Sequence, residues 1–349
     1  MNFVKKIYAK NILTVLDCGA LSTIALVAEK KSNGLFYVIG AGDAVTQGVR
    51  NGEIIHSGDA AESVVEALGK AERSSGIKVE KLYYNFDDLE MQSVFSRGSR
   101  FLNGEGEIHV SDIVSAQKVA ERLAGDFEKN IVYARPIKFI IDDRDEVINP
   151  VGVFGKKLDV LVHILQSRSS HSDAWHRLMQ RAQIFRSTPI LSAWSTAYGL
   201  LPKNDRMARR LIMDLGQDLL NAFVFADGQI NQYKVKSGCG KDALLFGDQV
   251  RALIHEFLSL DPCISEILLT GDCAQDQAVL NQLEGRVPIA FRAALPYGIS
   301  KLHDPRAASV AGLLLVADEI ESRMPMLRAD RGIFSSAKQK ALSLMEEYF

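Results

Sequence analysis

The sequence predicts an α/β protein of two lobes, each built on the same βββαβ unit, with a small mixed unit set into the first. Three observations carry this prediction. A strand, an Asp-x-Gly turn and two further strands open the chain around Asp17, Cys18 and Gly19, and they recur around Asp214, Leu215 and Gly216. A helix and another strand follow each meander, so the order repeats along with the motif, which marks an internal duplication. Between the two copies, from about Phe86, the texture of the chain changes.

In the first copy, "NILTVLDCG" is a short apolar run, as a buried strand requires. "LSTIALVAEK" and "GLFYVIGAGDA" complete an antiparallel meander. Val64, Val65, Leu68 and Ala71 then recur at helical spacing, and Gly76 stops that helix. "VEKLYYNF" is the closing strand. The insert reads βαββ. "QSVFSRGSRFL" alternates like an exposed strand, "SDIVSAQKVAERLAG" is a helix capped by Ser111 and stopped at Gly125, and "IVYARPIKFIID" and "KKLDVLVHIL" are strands. Its helix is expected to turn Val114, Val119 and Leu123 inward. A helix at "SDAWHRLMQRAQ", a strand at "TPIL" and a helix at "SAWSTAYGLL" finish the lobe. In the second copy "ARRLIMDLGQ", "LLNAFVFADG" and "QINQYKVKSG" form the meander. "GDQVRALIHEFLSL" is its helix, "ISEILLTGD" its strand and "DCAQDQAVLNQL" a further helix.

The 349 residues are 47% hydrophobic and 24% charged, enough for two or three compact units. A net charge of −2 gives no basic surface for nucleic acid. Cys18, Cys239, Cys263 and Cys273 form no C-x-x-C pair, and no histidine stands at metal spacing, so reduced thiols and no metal site are expected. The apolar stretch before Asp17 is too short for a signal peptide or a spanning helix, which makes the cytoplasm the expected location.

A duplicated βββαβ unit with Asp-x-Gly in both first turns resembles the ribonuclease H-like plan of actin, Hsp70 and the sugar kinases. The insert narrows the resemblance. "NPVGVFGKKLDVLVHIL", from Asn149 to Leu165, resembles the N-P-x-G-x-x-G segment of the bacterial division actin FtsA. "GVRNGEIIHSGDAAESVVEALGKAERSSGIKVEKLYYNF" is similar to that family's first helix and its approach, and "DPRAASVAGLLLVAD" to its last helix. The resemblance implies an actin-like fold with lobe I (IA) at 1–85 and 164–205 and the inserted subdomain IC at 86–163. Lobe II (IIA) would occupy 206–320, a linker 321–332 and an amphipathic helix 333–349. The pilus-assembly protein PilM, which has the same kind of extra subdomain, is the next candidate.

The family holds nucleotide on three loops, and all three are altered here. Where its first loop reads D-x-G-T-S-K, this chain has Asp17, Cys18, Gly19, Ala20, Leu21 and Ser22. Where the second reads D-x-G-G-G-T, Asp214, Leu215, Gly216, Gln217, Asp218 and Leu219 stand. The third, L-T-G-G, has become Leu269, Thr270, Gly271 and Asp272. An acid at Asp218 would face the triphosphate, and two unit charges ~4 Å apart at an effective dielectric near 20 repel by about 4 kcal/mol. Thr270 lies 54 residues after Gly216. The family spends more than twice that, because subdomain IIB lies there and covers the adenine. The expectation is that IIB is absent. Asp17, Gly19, Asp214, Gly216 and Gly271 are then remnants of a nucleotide site, kept because Asp-Gly makes good turns. No cofactor, no metal, no catalytic residue and no ATPase activity are expected. His171 and His176 do not share a helical face and read as surface or capping residues. Ser192 and Ser195 lack a His–Asp pattern for a hydrolase triad.

At 100° per residue, the final segment gathers Phe334, Leu342, Leu344, Met345 and Phe349 on one half of a helical wheel. Lys338 and Lys340 are balanced by Glu346 and Glu347, so attachment to a membrane would rest on those apolar side chains. Packing on the protein's own surface is the competing explanation. The reading is a non-catalytic FtsA-like pseudo-actin. It would act as an adaptor at the inner face of the cytoplasmic membrane in cell division, with subdomain IC meeting other division proteins. FtsZ and self-association are further implied contacts, although the IIB surface on which the family grips FtsZ is missing. The alternatives are an ATP-binding filament former and a PilM-like platform of a pilus or secretion machine.

Overall fold

A computed structural model describes residues 11–239, 243–297, 299 and 304–329. Lobe I begins with the meander β1 (Ile12–Cys18), β2 (Ser22–Lys30) and β3 (Phe36–Val45), followed by the short hairpin β4 (Val49–Arg50) and β5 (Glu53–Ile54). Helix α1 (Ser57–Ser75) and strand β6 (Leu82–Phe86) come next. After the insert come α3 (Ser169–Arg181), β11 (Ser187–Leu191) and α4 (Ser192–Leu200). The sheet order is β11-β6-β1-β2-β3, with β11 and β6 parallel to β1 and the meander antiparallel.

Lobe II repeats this plan with β12 (Arg210–Leu215), β13 (Leu219–Ala226), β14 (Gln229–Ser237), α5 (Ala243–Leu260) and β15 (Glu266–Thr270). Helix α6 (Gln277–Leu283), strand β16 (Phe291–Ala293) and helix α7 (Ala308–Ala329) complete it. Its order is β14-β13-β12-β15-β16, again an antiparallel meander joined to parallel strands. Both lobes therefore share one topology, as the repeated motif implied. Only five residues separate Ser237 of β14 from Ala243 of α5, which leaves no room for a further subdomain at that point.

Helices α4 and α7 cross between the lobes through small residues. A Cβ on Gly312 would lie 1.7 Å from the Ser195 carbonyl oxygen, and one on Gly199 would lie 2.0 Å from that of Ala308. Glycine is required at both positions for the backbones to approach this closely.

The insert comprises β7 (Gln92–Glu107), α2 (Val110–Ala124), β8 (Lys129–Ile141), β9 (Asp145–Val147) and β10 (Phe154–Arg168), in sheet order β7-β10-β8-β9. It has a hydrophobic cluster of its own, including Ile108, Ala116, Ala120, Leu158, Val160, Val162 and Ile164. Three expectations need correction here. Leu123 is 71% exposed, and the helix buries Asp112, Ala116 and Ala120 instead of Val114 and Val119. Gly98 explains the choice: a Cβ there would meet the Ala116 carbonyl oxygen at 1.9 Å, so helix and sheet touch backbone to backbone and only small residues fit between them. The helix starts at Val110, not after Ser111, because the Asp112 carboxylate accepts the His109 N–H at 3.0 Å and closes the first turn. Strand β10 runs on to Arg168, past the expected boundary at His163, because it pairs with both β7 and β8 over most of its length.

The expected linker at 321–332 is also revised. Helix α7 continues to Ala329, through Pro325. One missing N–H does not end a helix whose other residues, such as Met324, Met326 and Leu327, form helices readily. Among the described residues no helix is long and apolar enough to cross a membrane.

Candidate functional site: the inter-lobe cleft

The carboxyl ends of β1, β6, β12 and β15 converge between the lobes, where an open α/β sheet places its ligand crevice. Asp17 and Gly19, Asp214 and Gly216, and Gly271 are thereby brought to one cleft. Each has a partner inside the protein. The Ser309 hydroxyl donates to Asp17 Oδ2, and Thr196 Oγ1 donates to Asp214 Oδ2 at 3.1 Å. Gly19 N–H closes a turn on the Ser22 carbonyl at 3.0 Å, and Gly216 N–H does the same on Leu219 at 3.0 Å. Gly271 has φ of +90°, and a Cβ there would stand 2.5 Å from Asp214 Oδ1. Its glycine is demanded by the close passage of β15 over the end of β12.

Asp87, just past the end of β6, joins this floor; the sequence reading missed it. Asn221 Nδ2 donates to its carboxylate at 3.3 Å, and His171 Nε2 to its carbonyl at 2.8 Å. His171 is therefore buried in lobe I, not a surface residue, because its ring satisfies that carbonyl. The position of Asp87 at the carboxyl end of a parallel strand was the available signal. Loss of solvent pushes the Asp87 carboxyl up to about 8 and that of Asp214 up to about 7, with the neighbouring Asp17 charge adding to both. Burial also raises Asp17, against the hydrogen bond from Ser309.

The second loop meets an acid, but not through the residue expected. Asp218 reaches across to lobe I and accepts the Asn51 N–H at 2.7 Å. The acid at the loop is Asp272, whose Oδ2 accepts the Gln217 N–H at 3.3 Å. The segment after β14 packs onto the same loop, with Gly238 N–H donating to the Asp218 carbonyl at 2.7 Å and Cys239 N–H to Gly216 at 3.0 Å. A cavity of about 550 Å³ adjoins it, lined among others by Leu21, Gln217, Gly271, Asp272, Asp276, Asp304 and Arg306. Among the described residues lining it, the carboxylates of Asp272, Asp276 and Asp304 outnumber Arg306, whose Nε is bonded to Asp304 at 3.0 Å.

These residues do not fit a nucleoside triphosphate. A phosphate cradle needs free backbone N–H groups and cations, and here a carboxylate takes a loop N–H while carboxylates predominate among the described charged residues of the wall. Among the described residues, no group of three or more His, Cys, Asp or Glu could hold a metal ion. Ser195 donates to Asn85 Oδ1 at 2.6 Å and Ser192 to the Phe86 carbonyl at 3.4 Å, so neither is set up as a nucleophile. Phe334, Leu342, Leu344, Met345 and Phe349, the proposed membrane residues, lie outside the described residues.

The family model for the SHS2 domain inserted in FtsA matches residues 90–166, the β7 to β10 insert just described. The chain is an FtsA-like actin-fold protein. It is 26% identical over 221 residues to the cell division protein FtsA of Borreliella burgdorferi, covering 63% of this chain and 54% of that one. With FtsA of Bacillus subtilis it shares 24% over 221 residues, 63% of this chain and 50% of the relative. The FtsA-like chain thus spans about half the length of the curated relatives it matches. A solved structure described as the PilM–PilN type IV pilus biogenesis complex superposes with a TM-score of 0.63 at 12% identity, covering 87% of this chain and 98% of that one. That likeness concerns the fold alone.

Proposed function

We propose that this FtsA-like chain is a non-catalytic pseudo-actin that serves as an adaptor in bacterial cell division. It would be held at the cytoplasmic face of the membrane by residues 333–349. The observation that carries the non-catalytic part is the second loop, where the Asp272 carboxylate accepts the Gln217 N–H that a phosphate would need. The short connection from Ser237 to Ala243 supports it, since no subdomain stands there to cover an adenine. The division role rests on the SHS2 insert and on the FtsA relatives.

The insert is the proposed docking surface for other division proteins. It has its own core and displays Phe95, Phe101, Leu123 and Phe127 to solvent. Contact with FtsZ through the surface of a IIB subdomain is not part of the proposal. The experiment is localisation of a fluorescent fusion in dividing cells. The adaptor reading expects a band at the septum that is lost when residues 333–349 are removed. Accumulation at pilus sites would favour the PilM-like platform, and an unchanged septal band after truncation would remove the membrane helix from the account.

A further inference from the structure

Besides the crossing of α4 and α7 and the Asn221–Asp87 bond on the cleft floor, two further contacts join the lobes. The first is made by the β4–β5 hairpin. Its tip, Asn51–Gly52, has φ of 52° and 75°, the left-handed pair that a two-residue hairpin turn requires. The Asn51 N–H donates to Asp218 Oδ2 of lobe II at 2.7 Å, while the Gly52 carbonyl accepts from Trp175 Nε1 of α3 at 3.1 Å. A Cβ on Gly52 would stand 3.1 Å from Leu219 Cδ1. The tip is thus wedged between α3 and the second loop.

The second contact is made by the insert. Ile230 lies on β14, the edge strand of the lobe II sheet, next to a break in register between Val224 and Phe225. Backbone groups on the free side of an edge strand ordinarily face water. Here Ile230 N–H donates to Tyr133 Oη at 2.9 Å, and its carbonyl lies 2.8 Å from His163 Nδ1. A carbonyl can only accept, so Nδ1 carries the proton and Nε2 is left to accept from the Ser93 hydroxyl at 2.8 Å. Tyr133, His163 and Ile230 are all buried, and Phe95 stacks on the His163 ring at 4.8 Å.

We infer that the Asn51–Asp218 bond and the grip of Tyr133 and His163 on Ile230 form an internal lock that holds the two lobes at one angle with no ligand between them. The inference rests on the adaptor reading only in needing no nucleotide to bridge the lobes. A relative rotation that moved either point by about 1 Å would carry these bonds out of hydrogen-bonding range. Tyr133, His163 and Ile230 are buried, so a buried donor and a buried acceptor would both be left unpaired. Asp218 thereby acquires a role its sequence context did not suggest, as a strut to lobe I.

The test is the distance between spin labels on Cys263, an exposed thiol of lobe II, and on Glu62→Cys, exposed on α1. The full chain without ligand should give one narrow distribution. The Asp218→Ala/Tyr133→Phe double variant should lose that single peak while remaining folded by circular dichroism. A broad distribution in the parent, or an unchanged narrow peak in the double variant, overturns the lock. Should the double variant not fold, amide exchange in the parent decides: Asn51 and Ile230 N–H must exchange slowly, and fast exchange at either contradicts it. A shift of the parent distance on adding Mg-ATP would instead sink the nucleotide-free reading, a separate failure from that of the ligand-free lock.

Discussion

Asp87 and Asp214 hold their protons on the cleft floor at a pH where an unfolded chain has lost them. Their folded values, about 8 and about 7, stand above the ordinary carboxyl value of 3.8. The unfolded state therefore binds fewer protons through this window, and stability contributed by these groups falls as pH rises from about 4 to about 8. Asp214→Asn removes one such group and retains an oxygen to accept from Thr196. Relative to the parent, the variant should gain in melting temperature between pH 5 and pH 8, as read by thermal scans at both; a parallel pH dependence would show that Asp214 is ionised throughout. At Gly271 the backbone has φ of +90° and no space for a Cβ. Gly271→Ala should destabilise by roughly 2 kcal/mol or more, measured by urea unfolding, because it adds both strain and a clash. At this scale the motif residues were legible but their reasons were not. Gly271 was visible in "LTGD", whereas its contact with Asp214 arises only when β15 and β12 lie side by side. Asn51–Gly52 was a readable hairpin signal that went unread inside the approach to the first helix. Asp218 was read as facing the cleft, because nothing in a linear sequence shows which lobe a loop side chain turns toward.

Elements were more legible than their faces. Both meanders, their helices and the insert's β7, α2, β8 and β10 follow from apolar periodicity and turn residues, whereas β9, which makes the insert βαβββ and not βαββ, β16 and the β4–β5 hairpin are too short to leave such a pattern. The buried face of α2 was misjudged because size was taken as the sign of burial. The sheet at Gly98 comes so close that alanine, not valine or leucine, fills the gap. It follows that Ala116→Leu should overpack the insert by about 1–3 kcal/mol. Hydrogen exchange should quicken in β7, α2 and β10 while the central strands β1 and β12 remain protected. Equal loss of protection in the lobes would show that the insert shares their core. The C-terminal segment is a prediction of the same kind. Burial of a large apolar side chain yields about 1.5–3 kcal/mol, so insertion of Phe334, Leu344, Met345 and Phe349 together would suffice for the proposed reversible attachment to a bilayer. Leu344→Glu with Met345→Glu should abolish co-sedimentation with vesicles and leave the melting temperature unchanged. A large drop in melting temperature would place the helix in the protein's own fold.

For the whole molecule, the duplicated lobes make a cleft in which both motif aspartates and several loop N–H groups find partners within the chain. Thr196 and Ser309 bond the two motif aspartates, Asp272 takes a loop N–H, and Asp218 reaches across to lobe I. A sheet architecture that elsewhere carries ligands is here lined by the chain's own carboxylates, and its insert presents the surface proposed for partners. The central claim is that this cleft takes no nucleotide. Calorimetric titration of the full-length chain with Mg-ATP tests it most directly: no saturable heat should appear up to about 1 mM ligand, weaker than roughly −4 kcal/mol of binding free energy, whereas a saturating isotherm with a micromolar Kd would contradict the account.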